Sequence, residues 1–123
     1  MAGQLTIDTL KASSGVLATQ NGMTGIAKAW VNFTGSSSPT IQNSFNVSSV
    51  TYNGTGDFTI TFTTAMPNAN SVGAGFARVS GNGGFVQMAS DTVFTTTTFR
   101  FGTAVNGGGF SNPIITGVVV FNS

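Results

Sequence analysis

The sequence has no cysteine, no histidine and no glutamate, and it has few charged side chains of either sign. Without cysteine the chain can form neither a disulfide nor a thiolate metal site. Without histidine it lacks the side chain that most often serves as a general base or as a transition-metal ligand. Charged residues make up 6% of the chain, against about 25% in an average soluble domain. Disulfide scaffolds, thiol chemistry and histidine-based catalysis are therefore excluded.

The remaining ionisable side chains form no pattern typical of catalysis. Asp57 and Asp91 lie in predicted turns, where an aspartate commonly bonds its own backbone. A serine or threonine nucleophile would find only Lys11 or Lys28 as a base. No loop holds more than one acidic residue, so only an ion bound by backbone carbonyls, or shared between subunits, stays open. We predict that the protein is not an enzyme and has no catalytic, cofactor-binding or metal-binding residue.

Other partners are also limited by composition. The four cations are scattered and give no basic stripe that could follow a nucleic acid. The glycine-rich stretches SGNGGF and NGGGF lack the spacing of phosphate-binding loops. The N-terminus has no basic region followed by an apolar run, and the apolar stretch at residues 117–121 is too short to cross a bilayer. We expect a soluble chain made in the cytoplasm, with no nucleic-acid partner and no membrane insertion.

With so few charges, the surface must consist mainly of Ser, Thr, Asn, Gln and Gly. A net charge of +1 gives little repulsion between copies, and such a surface is nearly insensitive to salt. These properties suit a protein that packs against copies of itself or works in a salty medium. A neutral monomer is the alternative interpretation.

From residue 26 onward the sequence alternates with the period of β-strands. Phe58, Ile60 and Phe62 stand two apart, with threonines between them, which predicts a half-buried strand. The Asn53-Gly54 pair before this run predicts a tight hairpin turn with positive φ angles. Seven or eight such runs, separated by glycine-rich turns, predict an all-β fold: an antiparallel β-sandwich or jelly-roll-like domain. The strand at residues 71–79 places glycines on one face, where a bulky neighbour can approach closely.

The chain divides into an N-terminal arm, residues 1–25, and a β-sandwich head, residues 26–123. The arm, which lacks aromatic residues, is predicted to anchor the protein or to assist assembly. Trp30 suits a core, a subunit interface or a sugar-stacking site. Arg78 and Arg100 suit either sheet edges, where they extend into solvent, or pairing across a subunit interface. The apolar run at residues 114–121 predicts a strand buried on both faces or in an interface. The candidate assembly residues are Leu5, Ile7, Leu10, Trp30, Arg78, Arg100, Val118 and Val120.

Four sequence stretches resemble one known group of proteins. They are AKAWVNF (27–33), SFNVSS (44–49), NGTGD (53–57) and FTTAMPNAN (62–70). In this order they resemble the C-terminal module of tail-fibre and other virion structural proteins of tailed bacteriophages, especially those of marine and cyanobacterial hosts. The resemblance covers about residues 25–70 and returns weakly in the last strand. It implies a homo-oligomer, a trimer, on the surface of the virion, in contact with other virion proteins.

Three hypotheses follow from the residues and the resemblance. In the first, the domain is a tail-fibre-type head or knob that attaches to a host glycan or protein through the loops at residues 66–70, 80–84 and 105–113. The host-facing candidates are then Met66, Asn68, Asn70, Asn82, Phe85, Asn106 and Phe110. Longer relatives carry a shaft before this module, and the short sequence before it here raises the second hypothesis, a capsid decoration (cement) protein, as the alternative to the favoured first one. A carbohydrate-binding, lectin-like module is the third.

Overall fold

The structure, a computed structural model, describes Gly3 and residues 26–35, 37–88 and 93–122. This part of the chain contains no helix and forms eight strands, which confirms the all-β class. They are β1 (Ala29–Thr34), β2 (Thr40–Phe45), β3 (Val47–Gly54), β4 (Asp57–Phe62), β5 (Val72–Val79), β6 (Asn82–Met88), β7 (Thr98–Val105) and β8 (Ile115–Phe121). Apart from Gly3, the predicted arm with Leu5, Ile7 and Leu10 lies outside the described residues, as does the side chain of Asn82.

The strands form one antiparallel sheet in the order β2-β1-β8-β5-β6-β7-β4-β3. The two edge strands, β2 and β3, follow each other in the chain with only Asn46 between them. Because these edge strands also contact each other, the sheet is strongly curved and nearly barrel-shaped. At the corner, Asn46 has a φ of 55°, in a region that asparagine tolerates better than most non-glycine residues.

The side chain of Asn46 holds this corner in place. Its Nδ2 donates hydrogen bonds to the carbonyl oxygens of Lys28, at 3.0 Å, and Thr64, at 3.1 Å. Its Oδ1 accepts from the backbone N–H of Thr64 at 2.6 Å. One amide therefore connects the residue before β1, the β2–β3 corner and the segment that follows β4, and it does so where the two edges of the sheet meet.

The predicted period of two is confirmed where it was strongest. In β4, the side chains of Phe58, Ile60 and Phe62 are buried and the intervening threonines are not. The Phe58 ring lies 5.3 Å from the ring of Phe33 on β1 and 6.0 Å from that of Phe101 on β7, measured between centroids. Burial of each such ring contributes about 1.5–3 kcal/mol. The core thus joins the β1–β8 part of the sheet to the β4–β7 part.

The hairpin between β3 and β4 forms as predicted, but its turn lies further along the chain. Gly54 still pairs with Asp57 in the ladder, and the turn is made by Thr55 and Gly56. Only Gly56 of these residues has a positive φ, 66°. Its carbonyl accepts a hydrogen bond from Thr103 N–H at 2.7 Å, so β7 helps to decide where the turn falls.

Two more strand limits differ from the sequence prediction. Strand β6 starts at Asn82, inside the predicted SGNGG turn, because only Ser80 and Gly81 are needed to reverse the chain. Strand β7 continues to Val105, which pairs with Gly84, so the first residue of the predicted loop at residues 105–113 belongs to the ladder. The close approach predicted for the β5 glycines is present at Gly73, where an added Cβ would lie 2.7 Å from the ring of a core phenylalanine.

We expect Gly56→Ala to destabilise the protein, because alanine at this φ is strained and its Cβ would lie 2.5 Å from the Thr103 carbonyl oxygen. The strain alone costs about 1–3 kcal/mol. The matched control is Gly54→Ala, since Gly54 lacks a positive φ and has nothing within 4 Å of an added Cβ. Urea unfolding of both variants checks this. Equal loss of stability in the two would contradict the assigned turn.

Candidate functional site

The connections between strands lie at two ends of the sheet. Since all neighbouring strands are antiparallel, the β1–β2, β3–β4, β5–β6 and β7–β8 connections share one end, here named the loop end. The opposite end carries Ile26, where the described domain begins, together with the β4–β5 connection and residues 93–97. We name it the Ile26 end. The continuously described part of the chain therefore begins at the end remote from the loop end.

The predicted host-facing residues do not lie together. Asn106 and Phe110 are exposed at the loop end, and the backbone of Asn82 starts β6 there. Asn68 and Asn70 lie at the Ile26 end instead, where Asn68 O accepts a hydrogen bond from Asn122 Nδ2 at 3.0 Å. Met66 belongs to the same β4–β5 connection but is a buried core residue, 4% exposed, and Phe85 lies within β6.

The β7–β8 connection has a fixed base and an exposed tip. At the base, Gly56 N–H donates to Asn112 Oδ1 at 2.8 Å, and Ser111 N–H donates to the Thr103 carbonyl at 2.9 Å. The Thr103 hydroxyl returns a hydrogen bond to the Ser111 carbonyl at 2.7 Å. The tip, residues 106–110, is exposed. A loop held this way can vary at its tip without disturbing the strands, which is typical of binding loops.

An ion pair stands beside the β3–β4 turn. Arg100 donates from Nε to Asp57 Oδ1 at 3.0 Å and from Nη2 to Oδ2 at 2.6 Å. Asn53 Nδ2 also donates to Asp57 Oδ1, at 3.2 Å. Asp57 is 14% exposed and Arg100 42%. Asp57 was predicted to bond its own backbone, but its carboxylate pairs with Arg100 instead. The two opposite charges therefore neutralise each other within the chain.

The outward surface of β1, β8, β5 and β6 is apolar. Five large side chains on it are exposed: Trp30 (36%), Val72 (67%), Phe76 (56%), Phe85 (41%) and Phe121 (39%). The register makes them neighbours, because Phe76 pairs with Phe85 and with Gly117, and Val72 pairs with Phe121. The ring of Phe76 lies over Gly117, where any Cβ would overlap it. We call this surface the apolar face.

A groove of about 230 Å³ runs along the apolar face. Its lining includes Trp30, Phe76 and Gly117, and also Asn32, whose buried Oδ1 has no hydrogen-bond partner. This volume is below that of the usual small-molecule pocket, which is about 300–1,000 Å³.

The predicted assembly residues are separated by the fold. Trp30 lies on the apolar face, and Arg78 is exposed at its edge near the loop end. Arg100 is paired with Asp57 within the chain. Val118 and Val120 are core residues of β8, and their strand presents Val119 and Phe121 outward instead.

Sequence reasoning missed Val72, Phe76 and Phe121 as surface residues of interest. A signal was present: in β5, the apolar side chains alternate with glycines. When the residues on the inner face are glycines, the larger apolar side chains of that strand face outward.

Within residues 26–35, 37–88 and 93–122, no three His, Cys, Asp or Glu side chains come close enough to hold a metal ion. The same residues include no helix of the length and hydropathy needed to cross a membrane. Comparisons with protein-family models, with curated proteins and with solved structures find no match for the chain.

The Asp57–Arg100 pair predicts a specific pH dependence. Hydrogen bonds from Arg100 hold the pKa of Asp57 below its ordinary value; partial burial opposes this, and the Asn53 amide adds to it. A lowered pKa in the folded state stabilises the fold above the ordinary aspartate pKa of about 3.9, and this contribution disappears as the pH falls through the folded value. We expect the free-energy difference between wild type and Asp57→Asn to be constant from pH 7 to about pH 5 and to shrink below about pH 4.

Urea unfolding of both proteins across this pH range checks the prediction. The comparison between them removes every contribution that the two proteins share. A difference that stays constant down to pH 2 would show that the ion pair does not form.

Proposed function

We propose that this chain is a structural protein of a bacteriophage virion, an oligomeric surface head or knob of tail-fibre type that takes part in host attachment. In this proposal the curved sheet serves as a rigid sandwich-like scaffold of jelly-roll type, and the arm at residues 1–25 joins it to other virion proteins. The chain is made in the host cytoplasm and acts on the particle surface, without catalysis.

The proposal is supported by the positions, in the fold, of the sequence stretches that resemble phage virion proteins. AKAWVNF supplies the buried face of β1, and NGTGD supplies the β3–β4 turn that contains Gly56. The last stretch, FTTAMPNAN, contributes the buried side chains of Phe62 and Met66. Each of these three stretches therefore contributes core or turn residues of the scaffold, which supports a structural module.

The two ends of the sheet support an orientation. If residues 1–25 anchor the chain, the Ile26 end faces the particle and the loop end faces outward. The proposed host-facing surface is then the loop end, with Asn106 at the exposed tip of the β7–β8 connection. Asn68 and Asn70 would face the particle. Many weak contacts can suffice for attachment when several copies are displayed together.

The apolar face also favours a second candidate, a capsid decoration protein that reinforces the shell. Exposed aromatic side chains such as Trp30 and Phe76 would then lie against the capsid surface. A lectin-like module would instead use the loop end to bind a glycan. All three proposals place the contacts on surfaces of a rigid β-domain, and they differ in what those surfaces touch.

Imaging of labelled particles distinguishes them. We expect antibody-bound gold against this chain to decorate the tail of purified particles of the phage that encodes it. Labelling spread over the head shell would favour decoration. Absence of the chain from purified particles by mass spectrometry would contradict both virion roles.

We further expect the purified protein to compete with the phage for host cells through the loop end. Asn106→Arg should weaken inhibition of adsorption at least about tenfold, because an unpaired charge in a desolvated contact costs on the order of 1.4 kcal/mol or more. Asn70→Arg makes the same chemical change at the Ile26 end and is expected to leave inhibition unchanged. If Asn70→Arg abolishes inhibition and Asn106→Arg does not, the proposed orientation is wrong.

A further inference from the structure

We propose that the apolar face is the surface on which a second copy of this chain docks. The groove between Trp30 and Phe76 would receive apolar side chains of the neighbouring copy. This inference rests on the proposed function in one respect: it names the surface through which an oligomeric head would assemble. Its argument comes from the exposed residues, their register and their charge.

The first step is a contrast between two outward surfaces of the same sheet. On β3, β4 and β7 the outward positions hold small polar or charged side chains, among them Ser49, Thr61 and Arg100. On β1, β8, β5 and β6 the large side chains are mainly aromatic and aliphatic, including Phe76 and Phe85. The polar exceptions are Asn32, Thr34, Arg78 and Gln87. Both surfaces belong to the same chain, so its overall composition does not explain the difference. We infer that the apolar surface is covered by a partner.

The second step concerns size. A buried aromatic side chain covers about 150–250 Å², and four aromatic residues of the apolar face are 36–56% exposed. Together they leave on the order of 300–400 Å² of aromatic surface in solvent, comparable to the largest apolar patches of typical monomers, which are often functional. A standard interface buries about 800 Å² on each partner, with an apolar core and a polar rim. The apolar face therefore matches the core of such an interface.

The third step identifies the occupant. Among the outward positions of β1, β8, β5 and β6, only Arg78 is charged, and it lies at the edge near the loop end. A second copy can therefore cover the face without desolvating a carboxylate, and the net charge of +1 gives little repulsion between copies.

Shape supports the same occupant. The apolar face carries both a groove and projecting side chains, Val72 and Phe85, at different places. Two copies can therefore each supply what the other lacks, as a symmetric contact requires.

The test is the molar mass of the full chain in solution, measured by sedimentation velocity and by light scattering after gel filtration. We expect an integer multiple, two or more, of the 12.5 kDa of one chain. Val72→Asp and Phe85→Asp should each shift the protein towards the monomer, with a dissociation constant raised at least about tenfold per buried charge. Val72 is 67% exposed, so its substitution removes little packing within one chain.

The control is Ser49→Asp, which introduces the same charge on the polar outward surface and should leave the mass unchanged. Far-UV circular dichroism and thermal unfolding verify that each variant is folded. Phe76 is left intact because its ring covers Gly117. A monomeric wild type at every concentration overturns the inference, whatever else covers the face. An oligomer that Ser49→Asp disrupts, while Val72→Asp and Phe85→Asp do not, overturns it as well.

These outcomes are separate from those of the proposed function. A monomer that is nevertheless found on phage particles contradicts only the docking surface. An oligomer that depends on Val72 and Phe85 but is absent from particles contradicts only the virion role.

Discussion

The packing of Phe33, Phe58 and Phe101 inside the curved sheet is the interaction on which the rest of the molecule depends. Phe58 and Phe101 are direct partners on the neighbouring strands β4 and β7. Phe33 lies on β1, which β8, β5 and β6 separate from β7, so its ring reaches the other two only if the sheet bends until its two parts face each other. With no disulfide available and a 123-residue chain, burial of such rings must supply most of the stability. The bend therefore determines which face of each strand lies on the surface.

Two features of the sheet matter for function. The antiparallel strand order places four strand connections at the loop end and Ile26 at the other end, so the domain has a direction. The bend turns one face of each strand outward, and those faces are not equivalent: the surface of β3, β4 and β7 is mainly polar, whereas that of β1, β8, β5 and β6 is mainly apolar. A protein with distinct ends and distinct sides is suited to occupy one fixed place in an assembly.

The alternating strands were predictable because period two reports burial directly. The burial of Phe58, Ile60 and Phe62 could be predicted without knowing which strands lie beside them. The position of the turn at Gly56 could not be predicted, since it depends on a hydrogen bond with Thr103 from a remote strand. The same holds for the Asp57–Arg100 pair and for the Asn46 corner, whose partners are separated from them by 18 to 43 residues. Long-range partners leave no local pattern, so sequence reasoning found the strands and missed what connects them.

The glycines of β5 link the core to the proposed docking surface. At Gly73, the stacked rings of Phe94 and Phe99, 4.3 Å apart, occupy the space that a side chain of β5 would fill. The core beneath β5 is therefore filled by phenylalanines from elsewhere in the chain, and the larger side chains of that strand, Val72 and Phe76, lie outside. Apolar residues that the monomer does not bury remain available to a neighbour. Because phenylalanines from other parts of the chain fill the core beneath β5, the large side chains of β5 lie on the surface proposed to bind a second copy.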